Sequence, residues 1–210
     1  MTPGKFITLE GIEGAGKSTV AKLAGDWLAR AGIPVRLTRE PGGTPLAEQV
    51  RQIVLGRGPE PVSPVTETLL MFAARAQHVQ GVIAPALARG EWVVCDRFTD
   101  ATRAYQGSGR GVDNGLIDAL ARAVHPRLVP DCTLLLDLSV RAGLARARQR
   151  PSASLDRFEA EAAGFFEKVR AGYLVLARAE PQRFRIIDAA APLEEVAQRV
   201  AGILTALARP

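Results

Sequence analysis

Five short apolar runs punctuate the chain: KFITLE (5–10), PVRLTRE (34–40), WVVCD (92–96), CTLLLDL (132–138) and RFRIID (183–188). Each is rich in Val, Ile, Leu or Phe and too continuously apolar for a strand with one wet face, which predicts the buried strands of a parallel sheet. Between them, apolar positions recur at helical spacing near 17–31, 44–55, 64–89, 99–107, 113–124, 139–149, 156–179 and 192–208. Ser63 before Pro64, with Glu67 in the first turn, has the form of a capped helix start. The order β-α-β-α-α-β-α-α-β-α-α-β-α predicts a doubly wound α/β fold, a central parallel five-stranded sheet with helices on both faces. At 210 residues the chain is expected to form one domain, 1–210, without internal repeats. RQRPSASLDR (148–157), with its Pro, two Ser and four charges, is the best loop candidate after the glycine-rich ones.

Composition narrows this picture only a little. Apolar residues make up 47% and charged residues 23%, ordinary values for a globular protein. The 27 Lys and Arg against 22 Asp and Glu leave a charge of +5, which suits an anionic small molecule as well as nucleic acid. Only Lys5, Lys17, Lys22 and Lys168 are lysines, and the arginine excess suits bidentate phosphate contacts. Cys95 and Cys132 lie in strand-like runs without metal-type spacing and are expected to be buried thiols. The first residues run directly into a glycine-rich loop, and no apolar stretch approaches the ~20 residues of a membrane span. A cytoplasmic protein is expected.

The chemistry begins with GIEGAGKST, Gly11 to Thr19, which has the spacing G-x-x-x-x-G-K-[ST] between a strand and a helix. Gly11, Ile12, Glu13, Gly14, Ala15, Gly16, Lys17, Ser18 and Thr19 are predicted to wrap a nucleotide triphosphate with their N–H groups at a helix N-terminus. Lys17 should reach the β- and γ-phosphates and Ser18 should meet magnesium. The second strand ends in TREPGG (38–43), which brings Arg39 to the carboxyl edge where such sheets bind ligands. The third ends in CDRF (95–98): Asp96 is placed to hold magnesium through water, and Arg97 to meet a transferred or accepting phosphate. Arg146, Arg148, Arg150 and Arg157 surround the loop at about 146–157. Phosphoryl transfer needs charge on the moving group, so a short closing lid of arginines makes chemical sense.

Taken together, LEGIEGAGKST, TREPGGT, LLMFAARAQH, CDRF, AYQGSGRG and LDRFE resemble the bacterial thymidylate kinase family, in order from residue 9 to 159. The resemblance implies a P-loop kinase fold, transfer of the ATP γ-phosphoryl to dTMP with Mg2+, and a homodimer. Glu13, otherwise an odd carboxylate in a phosphate loop, would then accept a hydrogen bond from the deoxyribose 3′-hydroxyl. Arg39, Arg97 and Arg51 would hold the dTMP phosphate. Phe72 would stack on thymine and Arg75 would bond it. The usual family phenylalanine lies four residues before the arginine, which is Met71 here, so Met71 is the other candidate to cover the base. Thr102 and Gln106 would face the polar edge of thymine, and Tyr105 would crowd the sugar 2′ position. With no basic residue but Lys17 in the loop, the chain resembles the type whose catalytic arginine sits in the lid, Arg150 first and Arg157 second. No general base is needed, because the acceptor is already an ionised phosphate.

Two other readings make different demands. A nucleoside kinase would need a carboxylate base, for which Glu40 is placed. A nucleotide-dependent nucleic-acid binder would want one basic stripe with interleaved aromatics, which this sequence lacks. His78 and His125 have no metal or catalytic partners at useful spacing and are read as structural.

Overall fold

The computed structural model describes residues 4–56, 60–149, 157–158 and 161–209. Five parallel strands form one sheet: β1 (Phe6–Glu10), β2 (Val35–Arg39), β3 (Trp92–Asp96), β4 (Cys132–Asp137) and β5 (Phe184–Asp188), in the order β2-β3-β1-β4-β5. The helices are α1 (Lys17–Arg30), α2 (Pro45–Leu55), α3 (Pro64–His78), α4 (Ala84–Ala88), α5 (Thr99–Thr102), α6 (Asn114–Val124), α7 (Val140–Arg148), α8 (Ala163–Ala179) and α9 (Leu193–Ala208). Among the described residues, no helix is long and apolar enough to cross a membrane.

Alternation along the strands feeds two cores. Ile7, Leu9, Val94, Leu134 and Leu136 pack against Val20, Ala24 and Leu28 of α1 and Val196, Val200 and Leu204 of α9. On the opposite face Leu135 and Phe184 meet Phe166, Val169 and Tyr173 of α8, and Phe6, Val93 and Cys95 meet Ile83 and Ala86. Helices therefore cover both faces, as the near-continuous apolar strands require. Cys95 and Cys132 are buried, unbridged thiols.

The expectation of uniformly buried strands fails at the two edges. Leu37 of β2 is 45% exposed and Ile186 of β5 is 47% exposed, since an edge strand lacks a neighbour and full helix cover on one side. The expected helix at 64–89 is three pieces: α3, a π-helical turn at Val79–Ile83, and α4. Pro85 has no N–H to return to the residue four before it, and the helix widens over the turn that precedes it. Ser63 caps α3 as expected, its hydroxyl accepting from Thr66 N–H at 3.1 Å. The segment expected as helix 99–107 is α5 followed by a π-helical run, Arg103–Gly109. Of the expected helix at 156–179, α8 covers Ala163–Ala179, the Arg157 N–H donates to the Leu55 carbonyl at the end of α2, and residues 156, 159 and 160 lie outside the described residues.

Register positions the site. Asp96 lies opposite both Leu9 and Arg39, so β1, β2 and β3 end at one level. The phosphate loop, Arg39-Glu40 and Asp96-Arg97 thus leave the sheet side by side, at the carboxyl edge where the sequence places them.

Candidate active site

A cleft of about 560 Å³ opens above this edge. Its donor end is made by backbone. Gly11, Gly14 and Gly16 adopt φ of 138°, 74° and 89°, values that a side chain disfavours. Gly14 is also pressed against α7: a Cβ there would lie 2.0 Å from the Gly143 carbonyl oxygen, and a Cβ on Gly143 would lie 2.6 Å from the Glu13 carbonyl. The loop is therefore clamped by a glycine on each side, and α1 starts directly behind it without an acidic residue in its first turn. Lys17 lies folded along the loop, donating to the Gly11 and Ile12 carbonyls at 3.1 and 3.0 Å. Burial, with the charge of Arg97 adding to it, pushes its ammonium down to about 8.

Ser18 donates to Asp96 Oδ2 at 3.4 Å, while Asp96 Oδ1 is buried and has no partner among the described residues. A hydroxyl beside a half-satisfied carboxylate is the oxygen set that a hard divalent cation uses when most ligands come from phosphate and water. Among the described residues there is no cluster of three or more His, Cys, Asp or Glu to cage a metal.

The other end of the cleft is made by side chains. Arg97 stands at φ 71°, an unusual left-handed backbone for an arginine, worth about 1–3 kcal/mol of strain. That conformation aims its guanidinium back over the loop. It donates to Glu13 Oε1 at 2.7 Å, Gly11 O at 3.2 Å, Tyr105 OH at 3.0 Å and Tyr173 OH at 3.3 Å. Tyr105, its phenol raised by burial, donates in turn to Glu13 Oε2 at 2.5 Å. Glu13 thus belongs to this side-chain end of the cleft, bound to Arg97 and Tyr105. Behind Arg97, Tyr173 donates to Glu10 at 2.8 Å, and Phe98 N–H meets the other Glu10 oxygen at 2.8 Å. Burial and the Asp100 carboxylate push Glu10 up to about 8.

Arg39 and Arg51 also line the cleft. Arg39 forms a two-pronged pair with Glu48 at 3.0 and 2.9 Å, and Arg51 donates to the Pro41 carbonyl at 2.9 Å. Met71, Tyr105 and Gln106 line it, together with Val54, Leu55 and Phe158.

Phe72 does not. Neighbours on a helix diverge by about 100°, and with Met71 facing the cleft, Phe72 packs on Val112, Ile117 and Ala121. Of the two, Met71 is the residue that lines the cleft. Arg75 also stands back from the cleft wall. Fully buried, it pairs with Glu40 at 2.7 Å, donates to Phe98 O and Thr102 Oγ1 at 3.1 Å each, and lies 4.6 Å over the Phe72 ring. Its Nη1 is buried without a partner. Thr102 is buried as the acceptor of that Arg75 bond rather than exposed to the cleft.

Glu40 lines the cleft, but both of its oxygens are engaged in the interior. One carboxylate oxygen meets Arg75 and the other meets His78 Nδ1 at 3.0 Å, while His78 Nε2 lies 2.7 Å from Thr38 Oγ1. The feature that would have favoured a nucleoside kinase is therefore a buried structural ion pair. His125 is structural too, bonded to Thr99 and Leu128, its pKa lowered by burial.

Of the arginines at 146–157, Arg146 lines the cleft from the last turn of α7, anchored on the Ala189 carbonyl at 2.8 Å. Arg150 lies outside the described residues. Arg157 is not at the phosphate loop: it bonds Glu67 and the Val54 carbonyl (3.0 Å) and lies over the Phe158 ring. Glu67 and Phe158 are the residues sequence reasoning missed. Phe158 was visible only as part of LDRFE, and Glu67 reads from sequence as a first-turn helix acid.

A phosphate loop, a metal-type carboxylate and a ring of guanidiniums at one sheet edge define a P-loop phosphotransferase. Residues 9–200 match the family model described as thymidylate kinase. The chain is 56% identical over 196 residues, 93% of its own length and 90% of the relative's, to a thymidylate kinase of Alkalilimnicola ehrlichii. It is 54% identical over 204 residues to that of Pseudomonas fluorescens, covering 97% and 96% of the two chains. The crystal structure of thymidylate kinase from Ehrlichia chaffeensis superposes with a TM-score of 0.76 at 34% identity, covering 96% of this chain and 99% of the other. The chain belongs to the thymidylate kinase family. It is a nucleoside monophosphate kinase, a transferase that phosphorylates thymidylate.

Proposed function

We propose that this chain carries the γ-phosphoryl of MgATP to dTMP by lining up two phosphates in one cleft, without a general base. The supporting observation is the split character of the cleft: a glycine loop with Lys17 at one end, and Glu13, Arg97, Arg39 and Arg51 at the other. Gly11 to Thr19 take the triphosphate, whose arrival draws Lys17 off the Gly11 and Ile12 carbonyls and favours its charged form. Ser18 and Asp96 hold the magnesium ion, which when bound neutralises phosphate charge. Arg97, Arg39 and Arg51 hold the acceptor phosphate, with Arg39 and Arg51 exchanging Glu48 and the Pro41 carbonyl for it. Glu13 takes the 3′-hydroxyl, and Tyr105 closes the 2′ side. Met71 covers the base while Gln106 reads its edge. Arg75, whose Nη1 has no partner among the described residues, would have to turn toward the cleft to bond the base.

Arg150 is the proposed catalytic arginine, in a lid at 146–157 of a single domain spanning 1–210. Arg157, tied to Glu67, is the second candidate. A cytoplasmic homodimer is proposed as well: Leu46, Ile53, Val65 and Leu69 of the adjacent helices α2 and α3 are 47–56% exposed. Sedimentation at a single mass of one chain would remove the dimer.

A coupled ADP-release assay with MgATP against dTMP, dUMP, dCMP, AMP, UMP and thymidine tests the reading. Turnover of dTMP well above the others is expected. Turnover of thymidine with none of dTMP would overturn it.

A further inference from the structure

We infer that Glu67, which lies behind the base reader, sets which bases the acceptor site accepts by locking the amide of Gln106 in one orientation. The inference rests on the reading that Gln106 meets the base.

Glu67 is fully buried at the start of α3. Its Oε1 accepts from Gln106 Nε2 at 2.6 Å and lies 3.5 Å from Arg110 Nε, and its Oε2 accepts from Arg157. With two guanidiniums on it, this carboxylate only accepts hydrogen bonds. Gln106 must therefore turn its NH2 toward Glu67, because the reverse orientation would set two acceptor oxygens against each other in a buried site. That leaves Gln106 Oε1, buried and without a partner among the described residues, on a residue of the cleft wall.

A fixed carbonyl there demands an N–H on the base. Thymine and uracil present one at N3. Cytosine presents a lone pair at N3 and is rejected by lone-pair repulsion and an unmet acceptor. Glu67 does not line the cleft, so it is a positioning residue for specificity. Thymine and uracil present the same N3–H, so a device that fixes the Gln106 amide does not tell them apart.

In Glu67→Gln the new amide can donate to Gln106 Oε1 while its own oxygen still accepts from Arg157. Gln106 is then free to present NH2 to the cleft, where it suits cytosine N3. The experiment measures kcat/KM for dTMP, dUMP and dCMP in wild type, E67Q and Q106A. In E67Q the dTMP:dCMP ratio should fall about tenfold or more, the scale of one buried hydrogen bond lost or reversed. The dTMP:dUMP ratio should hold, which general loosening of the site would not allow.

Should E67Q fail to fold with Arg157 left facing an amide, E67Q/R157Q makes the pair neutral and carries the same expectation. Any catalytic loss from Arg157 cancels in the ratio. A dTMP:dCMP ratio that falls in Q106A but holds in the Glu67 variants would overturn the positioning role alone. If it holds in Q106A, Gln106 does not read the base, and the inference falls with that reading.

Discussion

The two ends of the cleft are built on different principles. The donor end is backbone: nine consecutive residues, three left-handed glycines and a glycine-to-glycine contact with α7. The other end is a set of side chains gathered from the phosphate loop, the ends of β2 and β3, α2 and the π-helical run after α5, and braced from behind by the buried carboxylates of Glu40 and Glu67. A backbone site is specified locally and tolerates change elsewhere. A site made of paired side chains depends on charges fixed from far along the chain, and each pair broken leaves a charge uncompensated.

The sharpest way to break this contrast is Glu40→Ala. It strands Arg75 and His78 in the interior, and a loss of about 3–5 kcal/mol in unfolding free energy is expected by denaturant titration. A loss under about 1 kcal/mol would mean that the acceptor end does not depend on this pair.

Next in size is Arg150→Ala, expected to lower kcat at least ~10²-fold with little change in substrate KM, the scale of one preorganised charge stabiliser. Near-normal turnover would move the catalytic role to Arg157.

The donor end is probed by Gly14→Ala, for which about 1–3 kcal/mol of stability should be lost to strain and the approach to Gly143. MgATP affinity should fall with it, while dTMP affinity should hold. An unchanged MgATP affinity would show the clamp to be dispensable.

Smaller per pH unit, but spread over several units, is an effect of pH. Glu10 is raised from its ordinary range near 4.5 to about 8, first by burial and then by Asp100. Between those values the folded chain holds a proton that the unfolded chain has released. Stability from this group is therefore full below about 4.5 and declines toward pH 8, by up to about 1.4 kcal/mol per unit. Chemical denaturation across that range should show the decline flattened in Glu10→Gln. An equal slope in both proteins would exclude Glu10 as its source.

Smallest is Glu48→Gln, at an exposed pair with Arg39. It should cost no more than about 1 kcal/mol of stability, read as a shift in thermal midpoint. A larger loss would mean that the pair braces the fold rather than only parking Arg39.

These unequal ends also explain what the sequence revealed. The five strands, their parallel order and the phosphate loop were legible because local pattern decides them: apolar runs of strand length and a motif that carries its own glycines. Arg39, Asp96 and Arg97 were legible from their place at strand ends. Met71 against Phe72 was not, since adjacent residues on one helix differ only in which face tertiary packing turns inward. The same holds for Arg75 and Glu40, 35 residues apart, and for Glu67 and Arg157, 90 residues apart, pairs that no spacing rule connects. Nor could sequence show that the segment after α5 is π-helical, which brings Tyr105 and Gln106 to the cleft together.

The acceptor end hangs on buried ion pairs behind it, and the donor end does not. Calorimetric titration of Glu40→Gln with dTMP and, separately, with MgATP, well below its unfolding temperature, tests it most directly. Weakening of dTMP by about tenfold or more, with MgATP affinity unchanged, is the predicted result. Equal weakening of both ligands, or undiminished dTMP affinity, would contradict it.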